Sequence, residues 1–184
     1  SKDSNPLSCG AQLYEDSKLL KDLVIPEGIT DIKKYAFYSE FFIDSIQFPK
    51  TLRSIGEDAF FGTNIEEVFI SDFVAWCNIT FDSTPMNRLS KLYLDNEVIS
   101  GDFVVPDGAT KIPAYTFANS KISTVVIPEG VIEIGEEAFR GSEITSIVIP
   151  DSVVSIGERT FEYCKSLKNV TIGKGVKTIG FLAF

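Results

Sequence analysis

The chain has 184 residues, a net charge of −9, and is 44% hydrophobic and 12% aromatic. This supplies ample apolar side chains for a packed core, and the acidic balance argues against nucleic acid, because neutralising phosphates needs clustered Lys and Arg. It has no histidine, which removes the commonest general base, the usual serine and cysteine triads and most zinc sites. No apolar run approaches membrane-spanning length, and no signal peptide is recognisable.

Along the chain one unit recurs. It runs Leu23-Val24-Ile25-Pro26, then Ile29, Ile32, Ala36 and Phe37. Next come Ile46-Gln47-Phe48-Pro49, Leu52, Ile55, Gly56, Ala59 and Phe60. An atypical stretch, Phe73 to Phe81, interrupts the pattern, and Leu92-Tyr93-Leu94-Asp95-Asn96-Glu97-Val98-Ile99 follows. The unit resumes at Phe103-Val104-Val105-Pro106, with Ala109, Ile112, Thr116 and Phe117. It repeats at Val125-Val126-Ile127-Pro128 through Phe139, at Ile147-Val148-Ile149-Pro150 through Phe161, and at Val170-Thr171-Ile172-Gly173 through Phe184. Prolines fall 22 or 23 residues apart where nothing is inserted. A fixed period of this size predicts a solenoid, because one copy cannot bury its own apolar face and must stack on its neighbours.

The segment before each proline alternates and is β-branched, so strands are expected near 23–25, 46–48, 68–70, 103–105, 125–127, 147–149 and 170–172, in one sheet. Proline ends each strand. The glycine of the Ile-Gly pair is expected to permit a bend. Phe37, Phe60, Phe117, Phe139 and Phe161 are expected as a buried column, with Phe184 more exposed. Leu92–Leu94 with Glu97–Ile99 reads as a hairpin turning at Asp95-Asn96; the alternative makes Leu92–Leu94 another parallel solenoid strand. A longer duplication also shows: Asn5-Pro6-Leu7, Leu13-Tyr14 and Leu23–Pro26 are matched by Pro85-Met86, Leu92-Tyr93 and Phe103–Pro106.

The pattern L-x-x-I-x-I-P-x-x-V-x-x-I-G-x-x-A-F, carried by Ile144-x-x-Ile147-x-Ile149, Leu167-x-x-Val170-x-Ile172 and Ile134-Gly135-Glu136-Glu137-Ala138-Phe139, resembles the BspA-like leucine-rich repeat family from about Leu20 to Phe184. The fold expected is a right-handed, mainly β leucine-rich-repeat solenoid over residues 1–184. It has one parallel sheet, short strands and turns on the convex side, and an atypical insertion with one hairpin at about 71–102. A chain that starts inside a module and stops inside a repeat is expected to be a fragment of a longer protein. The wider leucine-rich consensus places Asn or Cys just after the strand, where it forms a ladder to backbone. Here that position holds Gly28, Thr51, Gly108, Gly130, Ser152 and Gly175, so that ladder is expected to be absent. The resemblance implies display at a cell surface or outside the cell, with host proteins or other cells as partners.

No residue cluster calls for catalysis, a cofactor or a metal, and the chain is read as non-enzymatic. Glu57-Asp58 and Glu136-Glu137 occupy equivalent slots, which suits a solvated turn. Asp95, Asn96 and Glu97 offer hard oxygen ligands for calcium but too few of them, and a hairpin turn explains them better. Cys9, Cys77 and Cys164 lie in different modules and are expected unpaired. Asn78-Ile79-Thr80 and Asn169-Val170-Thr171 match glycosylation sequons. Trp76 is expected to fill the gap where the insertion leaves the coil, a ligand platform being the alternative.

The candidate binding face is the outward strand row: Phe69, Tyr93, Val104, Val126 and Val148. A polar row, Asp22, Ser45, Glu67, Asp102, Thr124, Ser146 and Asn169, runs beside it. Contiguous exposed apolar surface marks interaction sites, and β-propensity alone also explains valines here. Such a long shallow face suits a protein or extended polymer, without nucleic acid or membrane insertion; the chain is expected monomeric or weakly self-associating through its repeat ends. The function expected is protein-protein or cell-surface interaction; the alternative is a structural spacer or substrate-positioning arm of a larger multidomain enzyme.

Overall fold

The computed structural model describes residues 14–15, 18–82 and 91–184. In chain order the elements begin with β1 (Tyr14–Glu15), β2 (Lys18–Leu19), β3 (Asp22–Val24), β4 (Asp31–Ile32), β5 (Ser45–Gln47), β6 (Ser54–Ile55) and β7 (Glu67–Ile70). The insertion contributes α1 (Phe73–Cys77), β8 (Thr80–Phe81), β9 (Lys91–Leu94) and β10 (Glu97–Val98). The remainder is β11 (Gly101–Val104), β12 (Lys111–Ile112), β13 (Ile122–Val126), β14 (Glu133–Ile134), β15 (Ser146–Ile149), β16 (Ser155–Ile156), β17 (Asn169–Ile172) and β18 (Thr178–Ile179).

These strands stack as a mainly β solenoid. Each coil gives one longer strand before its proline and one two-residue strand at the Ile of the return half. The short strands form two parallel ladders of their own, β4-β6-β8 and β12-β14-β16-β18. The side opposite the long strands is thus built of short strands and turns, as the residues after the prolines foretold.

The long strands do not form one sheet, contrary to expectation. They form two, β10-β9-β7-β5-β3 and β11-β13-β15-β17. The hairpin is the cause. β9 pairs parallel with β7, Phe69 opposite Tyr93, exactly as a solenoid strand would, and also antiparallel with β10, Tyr93 opposite Val98. Both readings of Leu92–Leu94 therefore hold at once. With β10 on its outer edge, β9 has no free edge for β11. Asp95 and Asn96 take φ of 51° and 66°, the two positive values that a tight hairpin turn with matching twist requires. The same hairpin recurs earlier, since β1 pairs β2 with Tyr14 opposite Leu19; this supports the duplication at Leu13-Tyr14 and Leu92-Tyr93. Its other marks, Asn5-Pro6-Leu7 and Pro85-Met86, and Cys9 lie outside the described residues.

Burial follows the strand alternation. Leu23, Ile46, Val68, Val125 and Ile147 point into the core, and so do the return-half residues Ile32, Ile55, Ile112, Ile134 and Ile156. Phenylalanines stack from coil to coil: Phe117 on Phe139 at 5.1 Å, Phe139 on Phe161 at 5.3 Å, and Phe161 on Phe184 at 5.1 Å between ring centroids. Phe60, Phe117, Phe139 and Phe161 are buried, and Phe184 is exposed. Phe37 is only half-buried, a correction to the expected column. It is the first ring of the stack, and among the described residues only Phe60 packs on it face to face, at 5.2 Å. Between Phe60 and Phe117 the insertion interrupts the column: Phe48 meets Phe60 edge-on and Trp76 packs on Phe48, while Phe73 stacks on Phe117 at 5.8 Å.

The Ile-Gly glycines do not make bends. Gly56, Gly135, Gly157 and Gly180 have no left-handed φ; a Cβ on each would lie 2.5 or 2.6 Å from a backbone nitrogen of the preceding coil. The position is glycine because the neighbouring backbone passes where a side chain would start. The bends occur two residues later, at Tyr35, Asp58, Tyr115, Glu137, Arg159 and Leu182, with φ of 49–61°. That region is uncommon for residues other than glycine. Coil-to-coil hydrogen bonds hold it, such as the Glu137 N–H donating to the Glu158 carbonyl at 2.9 Å.

The expected absence of a side-chain ladder after the strand also needs correcting. Asn and Cys are missing, and acids and hydroxyls serve instead. Glu27, Glu129 and Asp151 accept from the backbone N–H of Lys50, Ser152 and Lys174 in the next coil, at 3.3, 3.1 and 2.7 Å. Thr51 Oγ1 accepts from Gly28 N–H and donates to the Ile29 carbonyl. Each bond satisfies a turn backbone group that no strand partner reaches.

Candidate interaction face

Register decides which outward side chains become neighbours. In the first ladder the row is Val24, Gln47, Phe69, Tyr93 and Val98. In the second it is Val104, Val126, Val148 and Thr171. Val104, Val126 and Val148 are 64%, 57% and 64% exposed, while Val105, Val125, Ile127, Ile147 and Ile149 beside them are buried and Phe103 is half-buried. The three valines therefore form a continuous apolar strip about 10 Å long, given the usual strand spacing.

Phe69 and Tyr93 lie on the other ladder, half-buried. Each covers the other, with ring centroids 4.5 Å apart and planes at 18°. The Tyr93 hydroxyl donates to Glu67 Oε1 at 2.9 Å, and Lys91 Nζ sits 3.5 Å from the same oxygen. The hydrogen bond to Glu67 raises the phenol's pKa, helped by desolvation and the carboxylate's charge. The candidate row is thus two patches, Phe69-Tyr93 and Val104-Val126-Val148, parted where the ladders part. Val98, exposed and opposite Tyr93, was missed; its signal is the period-two alternation of the hairpin's second strand. Phe41, Phe42 and Phe61 form a further exposed set on a flanking turn, where Phe61 stacks on Tyr38 at 5.4 Å. The doubled Phe41-Phe42 in a turn was the available signal.

The polar row is knitted across strands. Ser45 Oγ donates to Asp22 Oδ1 at 2.7 Å, and Thr124 Oγ1 to Asp102 Oδ1 at 2.7 Å, with Ser123 Oγ adding a bond at 3.1 Å. Asp102 is thus an anchored acceptor beside the valine strip, and Asp22 is one on the other ladder.

The insertion is a packing device. α1 starts at Asp72, whose side chain accepts from the Ala75 N–H at 2.9 Å, an ordinary N-cap. It turns Phe73, Trp76 and Cys77 inward. Trp76 is buried against Phe48 and Phe81, and its Nε1–H donates to Thr116 Oγ1 at 3.2 Å. That supports gap-filling rather than a platform. Burial pushes the Cys77 thiol up to about 12, which leaves it an inert core residue. Cys77 and Cys164 are both free. Asn78 is exposed, with Oδ1 accepting from Thr110 Oγ1 at 2.8 Å, and Asn169 is exposed on β17.

Among the described residues no group of three or more His, Cys, Asp or Glu is placed to hold a metal, and no helix is long and apolar enough to cross a membrane. Glu57 is exposed, whereas Glu136 and Glu137 are half-buried, a closer fit than a freely solvated turn. Glu137 pairs with Arg140 at 3.1 Å, and Arg140 also reaches Glu162 at 2.9 Å. Glu136 has its pKa raised by burial first, then by Glu137 and Glu158, against the opposing pull of Arg159. A carboxyl raised in the folded state binds protons more tightly there than in the unfolded chain, so its ionisation opposes folding. Glu136→Gln is therefore expected to raise the melting temperature at neutral pH. The gain should vanish as pH falls through the raised folded value to below the ordinary glutamate range. A constant gain across that window, seen by thermal melts at several pH values, would place the effect outside ionisation.

The model of the BspA-type leucine-rich repeat region matches residues 7–100 and 96–184, with 6 copies. Solved structures with the same fold include a leucine-rich repeat protein from Bacteroides ovatus, at 22% identity and a TM-score of 0.53, covering 94% of this chain and 48% of that one. A leucine-rich cell surface protein from Faecalibacterium prausnitzii is 23% identical, with a TM-score of 0.48, covering 88% of this chain and 49% of that one. This chain therefore spans about half the length of those structures. No curated protein matches it.

Proposed function

The chain belongs to the BspA-type leucine-rich repeat family, and from that premise we propose that it is a non-catalytic repeat module that binds a protein or extended polymer through the outward row of its long strands. The observation that carries this reading is the strip of Val104, Val126 and Val148, each more than half exposed and side by side. A long shallow face flanked by anchored polar acceptors is unlike a small-molecule cleft. In this reading the valines, with Phe69 and Tyr93 on the neighbouring ladder, supply affinity, and Asp22, Ser45, Asp102 and Thr124 set register. Display outside the cell, facing host or neighbouring cells, is part of the same proposal; one of the similar structures is described as a cell surface protein.

Replacing Val126 and Val148 together by Lys should weaken capture of purified host extracellular-matrix proteins and surface polysaccharides more than tenfold, about 1.4 kcal/mol. Folding should survive, since both side chains point outward. Replacing the exposed turn acid Glu57 by Lys should matter less for binding, acting through screened charge alone. The reverse ranking would move the site to the turns. Equal binding by both variants and the parent would favour a spacer or positioning arm over an adhesive face.

A further inference from the structure

The valine strip has a charged border. Three residues after each valine, just past the proline, stands an acid: Asp107 after Val104, Glu129 after Val126 and Asp151 after Val148. All three are exposed, and three residues of chain reach at most about 10 Å. The strands before them are paired in register, so the acids also follow one another coil by coil. Two are held in place: Glu129 Oε2 accepts from the Ser152 N–H at 3.1 Å, and Asp151 Oδ1 from the Lys174 N–H at 2.7 Å. On the other flank, two residues before Val104, Asp102 is held by the Ser123 and Thr124 hydroxyls. Among the described residues none of these four acids is in an ion pair. The pairing of outward residue and border charge runs through every coil. Val24 and Phe69 are also followed three residues on by acids, Glu27 and Asp72, whereas the polar Gln47 and Thr171 are followed by Lys50 and Lys174. Anchoring the next coil explains an acid after a proline. It does not explain why the acid accompanies an apolar outward residue and a lysine a polar one.

We propose that the valine strip seats a cationic amphipathic helix of a partner protein. Its apolar stripe lies on Val104, Val126 and Val148, and its Lys or Arg side chains meet Asp107, Glu129 and Asp151 on one flank and Asp102 on the other. This rests on the strand-row reading and names the partner within it. Charge selects the sign: potentials across an interface are complementary, and a polyanionic polysaccharide would meet like charges on both flanks. Geometry selects the helix. Valines on three neighbouring strands span about 10 Å, and seven residues of helix rise about 10.5 Å, so positions i, i+3 or i+4, and i+7 fall over the three valines. A helix carries polar positions on both sides of its apolar stripe. An extended segment sends successive side chains to opposite faces, so it can lay apolar groups on the valines but cannot line both flanks with charge. Acids already fixed by bonds to backbone and hydroxyl groups lose little freedom when a base arrives, which preserves affinity.

The probe is a labelled synthetic peptide of Leu and Lys, about 18 residues long, beyond the length at which isolated helices are marginal in water. Its leucines follow the helical i, i+3, i+4, i+7 spacing, and it is titrated onto the purified chain by fluorescence anisotropy. Two comparisons run beside it: a peptide of the same composition with Leu and Lys alternating, which favours a strand, and a helix of Leu and Glu. The Leu/Lys helix should bind about tenfold or more tightly than either. Asp107→Asn, Glu129→Gln and Asp151→Asn together remove the charge and keep the acceptor oxygens. Circular dichroism melts should therefore be unchanged, while affinity falls about tenfold or more and its salt dependence flattens. Val126→Thr with Val148→Thr, which keeps the β-branched shape and adds no charge, should weaken binding comparably, and Glu57→Gln should leave it as in the parent. No binding of the Leu/Lys helix, equal binding of the alternating peptide, or indifference to the three neutral substitutions would overturn the proposal. The two readings fail separately. If matrix-protein capture is lost with Val126→Lys and Val148→Lys but survives the three neutral substitutions, the strip remains a binding face and the cationic helix is ruled out. If capture survives both sets, the strip is ruled out and the helix with it.

Discussion

Gly157→Ala is expected to cost about 3 kcal/mol of folding free energy, the upper part of the range for overpacking. The added Cβ would lie 2.5 Å from the Glu136 nitrogen and 2.6 Å from the Gly135 carbonyl carbon. Both are backbone atoms, so no side chain can swing aside. Nor can the coils separate cheaply. Gly157 N–H donates to the Ile134 carbonyl at 2.8 Å, Gly135 N–H to the Ile112 carbonyl at 2.8 Å, and Ile134 pairs with Ile156 in the short-strand ladder. Relief of the clash strains that ladder on both sides. Gly101→Ala is the control. Gly101 has a φ of 68°, in the left-handed well, and nothing within 4 Å of an added Cβ, so its cost is conformational, about 1–2 kcal/mol. Urea denaturation of both variants decides the matter; similar losses would mean that close coil approach is not why the Ile-Gly position is glycine.

Phe139→Ala is expected to cost about 3–5 kcal/mol, the usual penalty for removing a buried phenylalanine. Phe139 is fully buried and stacks on Phe117 at 5.1 Å and on Phe161 at 5.3 Å, so its removal leaves a void with rings on both sides. The coils are bonded above and below it, through Phe117 N–H to the Ala138 carbonyl and Phe139 N–H to the Thr160 carbonyl, which limits collapse into the gap. Phe184→Ala removes a ring that is 52% exposed and packed on one face only, and should cost less than about 1 kcal/mol on the same transfer scale. A loss below about 1 kcal/mol for Phe139→Ala as well would mean that the stacked column carries little of the stability.

The repeat itself was legible because each coil places the same residue types at the same steps, and stacking demands that repetition. Val125, Ile134, Ala138 and Phe139 recur as packing positions for that reason, and so do the strand alternation and the prolines that end each strand. The hairpin was legible in Asp95-Asn96, since few residues take positive φ in succession. The bends were not. Tyr35, Asp58, Tyr115, Glu137, Arg159 and Leu182 share a left-handed backbone but no chemistry, and the N–H groups of Tyr35, Tyr115, Glu137 and Arg159 are tied to carbonyls of the next coil. The helix over Phe73–Cys77 is too short to show a periodicity.

The candidate face divides along the same line. That Val104, Val126 and Val148 would point outward followed from their place in an alternating strand. That they form one strip while Phe69 and Tyr93 form another depended on where β10 ends the first ladder, a choice made by pairing across the chain. The role of Ile-Gly was likewise hidden: a glycine looks the same in sequence whether it frees a torsion or admits a neighbour. So the sequence by itself determined the solenoid, its period, its inward residues and its outward row, since these are local patterns repeated in register. Only the tertiary structure decided the break in the sheet and the bonded acids Glu27, Glu129 and Asp151 after their strands. Each of those depends on which backbone lies beside which, and residues in one coil carry no local record of the coil next to them.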